Sequence, residues 1–284
     1  MAIIHPTSVI EPGALLAEDV EIGPFCHIGA QVTLGAGTRV LSHVAIRGRT
    51  TLGVGNTVWP QATLGCDPQD LKYRGEDTEL LIGDHNHIRE SVSLHKGTGN
   101  GGGITRIGSQ NLIMAYVHLG HDCMIGDNAV IANAVQLAGH VCVEDYAHIG
   151  GATAIHHFVT VGRYAFVGGM TRVVHDVPPF MVVEGNPARV RKINSVLMKR
   201  LDFPDSRIER IKTAFRRLYA HGENGQAVTN LEQRLEELER EFPDDWAIAH
   251  LAQTLRRSAV GVFGRHRESL RPDDRYANPA ADGL

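Results

Sequence analysis

The chain has 284 residues, 43% of them hydrophobic and 21% charged, the make-up of an ordinary folded protein with one large or two modest domains. A formal net charge of −4 lacks the positive surplus that non-specific nucleic-acid binding needs, so no nucleic-acid partner is expected. No apolar run approaches the roughly 20 residues of a membrane span, and the first residues lack a basic segment followed by an apolar one, so a cytoplasmic protein without stable membrane insertion is expected.

From the start of the chain an aliphatic side chain recurs at every sixth position: Ile4, Ile10, Leu16, Ile22, Ile28, Leu34, Val40, Ile46, Leu52, Val58 and Leu64. A period of six marks hexapeptide repeats. Each hexad supplies a short strand and a corner, three hexads close one coil of a prism, and the aliphatic side chain points inward. A single coil buries too little to be stable, whereas stacked coils make one continuous core. Coils then follow one another at about 4.8 Å, the spacing of hydrogen-bonded strands. The 31 glycines and an aromatic content of 6% suit many tight corners around an aliphatic interior.

The rhythm pauses over residues 65–81, a polar stretch broken by Pro68 and Gly75, and resumes in the same frame at Ile82, Ile88 and Leu94. A second interruption, over 96–106, does not fit a whole number of hexads, so a flexible loop is expected to leave the scaffold there. Its glycines (97, 99 and 101–103) lack the Gly-Lys-Ser/Thr ending and the strand–helix setting of a phosphate-binding loop. The sixes then run without a miss from Ile107 through Ile113, Leu119, Ile125, Ile131, Leu137, Val143, Ile149, Ile155, Val161 and Val167 to Val173. Pro178 and Pro179 end the ladder, giving a repeat domain over 1–185.

A helical domain is expected over 186–262. Asn186 and Pro187 read as a helix start, followed by the stripe Ile193, Val196, Leu197 and Leu201. Ile208, Ile211, Phe215 and Leu218 make a second helix, stopped near Gly222. Thr229 with Glu232 resembles a capping box for a third, and Asp244 or Asp245 opens a fourth that ends near Val260. The charged, proline-containing residues 263–284 read as a disordered tail.

Residues three hexads apart share a face of the prism. His121, Gly139, His157 and His175 form such a column, with His140 beside Gly139 and His156 beside His157, which gathers five histidines on one wall. Histidine suits proton transfer near neutral pH, and Asp122 offers a carboxylate to orient or charge-stabilise His121. Neighbours on a strand point to opposite sides, so that pair requires a corner. The four cysteines (Cys26, Cys66, Cys123, Cys142) contain no CxxC pair and read as small buried hydrophobes of a reducing compartment. On residues alone the wall points either to general-base chemistry or to a metal site.

Several words in the chain are more specific than the repeat: Ile22-Gly23-Pro24-Phe25-Cys26, Gln69-Asp70-Leu71-Lys72-Tyr73, Ile88-Arg89-Glu90-Ser91-Val92, His95-Lys96-Gly97-Thr98, Gly101-Gly102-Gly103, His121-Asp122-Cys123, Leu137-Ala138-Gly139-His140 and Asp176-Val177-Pro178-Pro179. With them the chain, to about residue 262, resembles the acyl-carrier-protein–UDP-N-acetylglucosamine O-acyltransferases of lipid A biosynthesis. The resemblance implies a left-handed parallel β-helix followed by C-terminal helices, and a homotrimer with active sites between neighbouring subunits. It implies transfer of a 3-hydroxyacyl chain from acyl-carrier protein to the 3-hydroxyl of UDP-N-acetylglucosamine. No metal and no resident cofactor are implied; the 4′-phosphopantetheine arrives on the carrier.

Carried over by position, the resemblance makes His121 the general base, Asp122 its support and the Gly139 N–H the oxyanion donor. Asp70, Lys72, His95, His118, His140 and His156 become contacts to sugar, diphosphate or acyl chain. Asn194 and Arg200 become nucleotide contacts, and Gly169 a position that tunes acyl length, its lack of a side chain favouring a longer chain. His157 stands where the family usually has Gln, and Leu201 where a second Arg is common. The cluster Arg189, Arg191, Lys192, Lys199 and Arg200 would attract an acidic carrier protein.

A zinc hydro-lyase of the gamma-carbonic-anhydrase type uses this scaffold but needs a His-x4-His pair, whereas His118 and His121 are spaced x2. The related N-acyltransferase carries an extra N-terminal domain, for which hexads beginning at Ile4 leave no room. Acyl transfer to a 3-amino analogue of the UDP-sugar stays open. A scaffold that merely trimerises would explain neither the histidine wall nor the two interruptions.

Overall fold

A computed structural model describes residues 1–219 and 230–271. Strands of mostly two residues wind through three sheets. The first sheet has 11 strands, from Ile3–Ile4 to Phe166–Val167 and then Met181–Glu184 and Arg189–Ile193; the second has 9, from Val9–Ile10 to Arg172–Val173; the third has 8, from Leu15–Leu16 to Thr160–Val161. Each coil visits them in that order, and parallel pairing sets each hexad position on its own repeat: Ile113 on Ile131, Ile131 on Ile149, Ile149 on Val167. The result is a left-handed parallel β-helix. From Ile107 to Val173 every sixth-position aliphatic is 3% exposed or less, because each is sandwiched between its repeats above and below. Ile4, with no coil beneath it, is 42% exposed.

The corners account for the period as much as the core does. A residue with positive φ recurs every sixth position from Gln110 and Tyr116 through Asp122, Asn128, Ala134, His140, Tyr146, Ala152, Phe158 and Tyr164 to Met170. None of these is glycine, so each left-handed corner costs roughly 1–2 kcal/mol. The stack offsets that cost by turning the corner N–H onto the coil before it, as in His140 N–H to the His121 carbonyl and Tyr146 N–H to the Asp127 carbonyl, both 2.9 Å.

Both interruptions leave the prism at one corner, between the second and third sheets. The first separates Thr63–Cys66 from Glu79–Ile82, and the second separates Ser93–His95 from Ile104–Ile107. His121, Gly139, His140, His157 and Phe158 sit at the same corner in the coils that follow. The second interruption carries some regular structure. Thr98 caps a 3-10 turn, Gly99–Gly101, by accepting the Gly101 N–H, and Thr98 itself is buried.

The ladder continues past the prolines, with Val161 bridging Val177 and Met181–Glu184 pairing Phe166–Val167. Asn186 and Pro187 do not start a helix. They form the turn, with a cis peptide bond, of an antiparallel hairpin in which Arg189–Ile193 pairs Met181–Glu184. The apolar run Met181-Val182-Val183 favours strand over helix there, and it finds a partner. Helices follow: α1 (Ser195–Arg200), α2 (Asp205–Tyr219), α3 (Leu231–Glu241) and α4 (Trp246–Val260). Asp245 caps α4 by accepting the Ala247 N–H. The expected stop at Gly222 and the Thr229 half of the capping box lie outside the described residues. Ile208, Ile211, Leu218, Leu235, Leu238, Ile248 and Leu251 bury one apolar core against Phe180 and Met181 of the last coil. None of the described helices is long and apolar enough to cross a membrane.

Residues 263–271, expected as part of a disordered tail, fold back on the β-helix. Arg265 and Glu268 form a buried ion pair, Arg265 donates to the Val174 carbonyl, and the His266 N–H donates to Asp176. Charge that would be solvated in a free tail is here satisfied by internal partners.

Candidate active site

The corner that makes Asp122 left-handed brings its side chain back onto its neighbour. His121 Nδ1 lies 2.7 Å from Asp122 Oδ2. The carboxylate is 1% exposed and also accepts from the Thr98 N–H at 2.8 Å and the Thr98 hydroxyl at 2.7 Å. Burial pushes the Asp122 carboxyl up, but the hydrogen bonds from His121 and Thr98 outweigh it and hold the group below its usual range. An ionised carboxylate can only accept, so Nδ1 carries a proton, and in the neutral ring Nε2 is the nitrogen with the lone pair. The Asp122 N–H is fixed in turn by the Thr105 hydroxyl at 2.8 Å.

Two glycines make room for this arrangement. A Cβ on Gly101 would lie 2.0 Å from the Asp122 carboxyl carbon. A Cβ on Gly139 would lie 2.6 Å from both Nε2 and Cε1 of His121. The reactive edge of the imidazole therefore lies directly over bare backbone. Among the described residues the Gly139 N–H has no acceptor. An imidazole lone pair beside an unengaged N–H can take a proton from a hydroxyl while the N–H receives a developing oxyanion.

His140 stands edge-on to His121, ring centroids 5.0 Å apart, and stacks on Phe158 at 4.3 Å with 9° between planes. Burial lowers the His140 imidazole to about 4; Asp122 opposes that, and His121, Arg271 and Arg267 add to it. His95 and His118 pair edge-to-face at 5.1 Å, and Ser93 Oγ holds His118 Nδ1 at 2.8 Å. Burial lowers both, with the neighbouring histidines adding to it. The donor atoms of His121, Asp122 and His140 lie within 4.8 Å of one another, close enough for a metal ion. Yet Asp122 already accepts three hydrogen bonds and holds the inner nitrogen of His121, which is the arrangement of a carboxylate-oriented base. Cys123 is buried, its thiol pushed up to about 12 by burial, and supplies no nucleophile.

Two family models match the chain: the second domain of UDP-N-acetylglucosamine O-acyltransferase over residues 176–263, and the bacterial transferase hexapeptide over 104–139. An acyl-[acyl-carrier-protein]–UDP-N-acetylglucosamine O-acyltransferase from Saccharophagus degradans is 47% identical over 262 residues, which are 92% of this chain and 99% of the relative. The chain belongs to this acyltransferase family. Solved structures agree. LpxA from Acinetobacter baumannii superposes with a TM-score of 0.83 at 39% identity, covering 88% of this chain and 95% of its own. LpxA from Bacteroides fragilis gives 0.85 at 34%, covering 89% and 97%. Membership sets aside the zinc hydro-lyase reading of the scaffold.

Within the acyltransferase chain, not every sequence-derived candidate meets His121. Asp70 and Lys72 sit on the first loop at the same corner, where Asp70 Oδ1 accepts the Lys72 N–H at 2.9 Å. Lys96 anchors that loop through Asp67 at 3.0 Å. His156 reaches the carbonyl of His157 at 3.1 Å. His175, one coil beyond His157, is engaged by the Phe263 carbonyl of the C-terminal segment rather than by His121. Gly169 is exposed at a different corner, between the first and second sheets. Asn194 is buried as the N-cap of α1, accepting from Leu197 and donating to the Tyr164 carbonyl. Arg200, at the exposed end of α1, lies near His148 of the first sheet, whose imidazole is lowered by burial and further by the Arg200 charge. Sequence reasoning assigned no role to Thr98, Thr105 or Phe158. The phase of Phe158, three hexads after His140, was a usable signal. Thr98 and Thr105 flank the irregular loop, where the period loses its phase.

Proposed function

We infer that this chain transfers a 3-hydroxyacyl group from acyl-carrier protein to the 3-hydroxyl of UDP-N-acetylglucosamine, the opening step of lipid A synthesis in the cytoplasm. The observation that carries the mechanism is His121 held by buried Asp122 with its free nitrogen over Gly139. Nε2 takes the proton of the sugar hydroxyl as its oxygen attacks the thioester carbonyl. The Gly139 N–H donates to the oxyanion of the tetrahedral intermediate. On collapse the carbon–sulfur bond breaks, and the imidazolium returns its proton to the departing phosphopantetheine thiolate. Asp122 stays ionised throughout and stabilises the imidazolium.

Asp70, Lys72, His95, His118, His140 and His156 lie along the second sheet or the corner that follows it, the corner of His121, and supply contacts to sugar, diphosphate and acyl chain. Gly169 lies at another corner of the prism, and Arg200 lies on α1 near His148 of the first sheet. Their use requires a neighbouring copy, which supports a homotrimer with its sites in the clefts between subunits. Asn194 contributes by fixing the helix that carries Arg200. The bare Gly169 corner leaves space for a longer acyl chain.

The test is transfer from a panel of 3-hydroxyacyl carrier proteins to UDP-N-acetylglucosamine and to its 3-amino analogue. Ester formation on the hydroxyl sugar is expected, whereas transfer to the amino sugar alone, or to neither, overturns the reading. His121→Ala is expected to lower kcat by roughly 10²–10⁴-fold with the fold intact; near-parental turnover would remove His121 as the base.

A further inference from the structure

The family model ends at residue 263, yet the chain beyond it returns to the corner that carries His121. Its anchoring is specific. Gly264 (φ +69°) turns the strap, its carbonyl accepting the Asp176 N–H at 2.9 Å and the Ser258 hydroxyl at 2.9 Å. The buried Arg265–Glu268 pair ties it to the Val174 carbonyl, and the His266 N–H holds Asp176. The strap is thus fixed at several points before it reaches the site wall.

Two of its side chains then touch that wall. Arg267 Nε donates to the His140 carbonyl at 3.3 Å, and the same guanidinium contacts Met124 Sδ at 3.6 Å. The Arg271 guanidinium lies over the Phe158 ring, 4.9 Å from its centroid. Rings and cation make one series: His121 against His140, His140 against Phe158, Phe158 against Arg271. The His140 N–H donates to the His121 carbonyl, so the peptide unit that Arg267 holds is the neighbour of the one bonded to the catalytic residue's backbone. Gly139, just before it, lies against the His121 ring, which a Cβ there would strike. A left-handed corner is a strained conformation that its surroundings must over-determine.

We propose that residues 263–271 are a positioning strap of the acyl-transfer site, in which Arg267 fixes the Gly139–His140 corner through the His140 carbonyl and Arg271 clamps the Phe158 ring on which His140 stacks. This rests on the acyl-transfer reading. Misplacing a donor or base by a fraction of an ångström lowers the rate of the bound complex without altering substrate affinity, so the strap acts on kcat.

The experiment compares the full-length parent with Arg267→Ala, Arg267→Gln and Arg271→Ala in steady-state acyl transfer, with thermal unfolding of each. Gln carries an N–H donor at the same place along its side chain as Arg Nε, but no charge. Arg267→Ala is expected to lower kcat roughly 5- to 50-fold with both KM values within about twofold, and Arg267→Gln to recover most of the loss. Arg271→Ala should give a smaller fall of the same kind. Parental kcat in Arg267→Ala, equal loss in Ala and Gln, or a change confined to KM each overturns the proposal. A parent that transfers no acyl group removes the functional reading itself, and the strap's role falls with it.

Discussion

Asp122 sits where three demands meet: a left-handed corner, a carboxylate 1% exposed, and hydrogen bonds from Thr98 and His121 that keep it ionised. Gly101 supplies the space. Gly101→Ala would set a methyl 2.0 Å from the carboxyl carbon, so the turn or the carboxylate must move. We expect kcat to fall at least tenfold and stability to fall by about 1–3 kcal/mol, read from transfer kinetics and denaturant unfolding; unchanged turnover would show that Asp122 tolerates displacement. His140 gives a pH signature. Its imidazole is lowered to about 4 in the fold, so between the ordinary histidine range near 6.5 and about 4 the unfolded chain binds the extra proton. Stability should therefore fall as pH drops through that window. Replacing His140 with Gln should flatten that part of the Tm profile, and an unaltered profile would assign the loss elsewhere.

Among the elements, the repeating corner matters more to the site than any strand. It can extrude an insertion without disturbing the ladder, because Glu79–Ile82 still pairs Arg49–Leu52 and Ile104–Ile107 still pairs Glu79–Ile82. The first loop is braced by Lys96 on Asp67 and by Tyr73, whose hydroxyl donates to the Glu76 carbonyl. It lies at the base's corner but contributes no group to the proton transfer. Lys72→Ala should accordingly raise KM for the UDP-sugar about 3- to 30-fold while leaving kcat within a few-fold, since exposed charge contacts serve binding more than chemistry. An unchanged KM would take Lys72 out of the substrate contacts.

For the whole molecule, the β-helix is a rigid prism and the helices α1–α4 form a cap packed on Phe180 and Met181 of its last coil. His121 sits at the corner between the second and third sheets and Arg200 on α1 near the first sheet, so a trimer in which sites are shared makes a distinctive prediction. His121→Ala and Arg200→Ala preparations, each impaired alone, should regain about a quarter of parental activity after co-refolding, because random pairing restores that share of intact clefts. No recovery would mean that each chain holds a complete site.

The aliphatic sixes and the stacking of residues three hexads apart were legible in the linear chain, because a solenoid converts period directly into position. The same arithmetic placed His121, Gly139 and His157 in one column. It failed wherever the period breaks. The turn at Asn186 and Pro187 forms a hairpin because Met181-Val182-Val183 finds a strand partner, which no local rule foretells. Thr98 reaches Asp122 across a loop with no fixed phase, and Arg267 reaches His140 across 127 positions of chain. Periodicity specifies neighbours only within the repeat. Contacts made by irregular segments depend on where the packed chain returns, and that is a property of the folded whole.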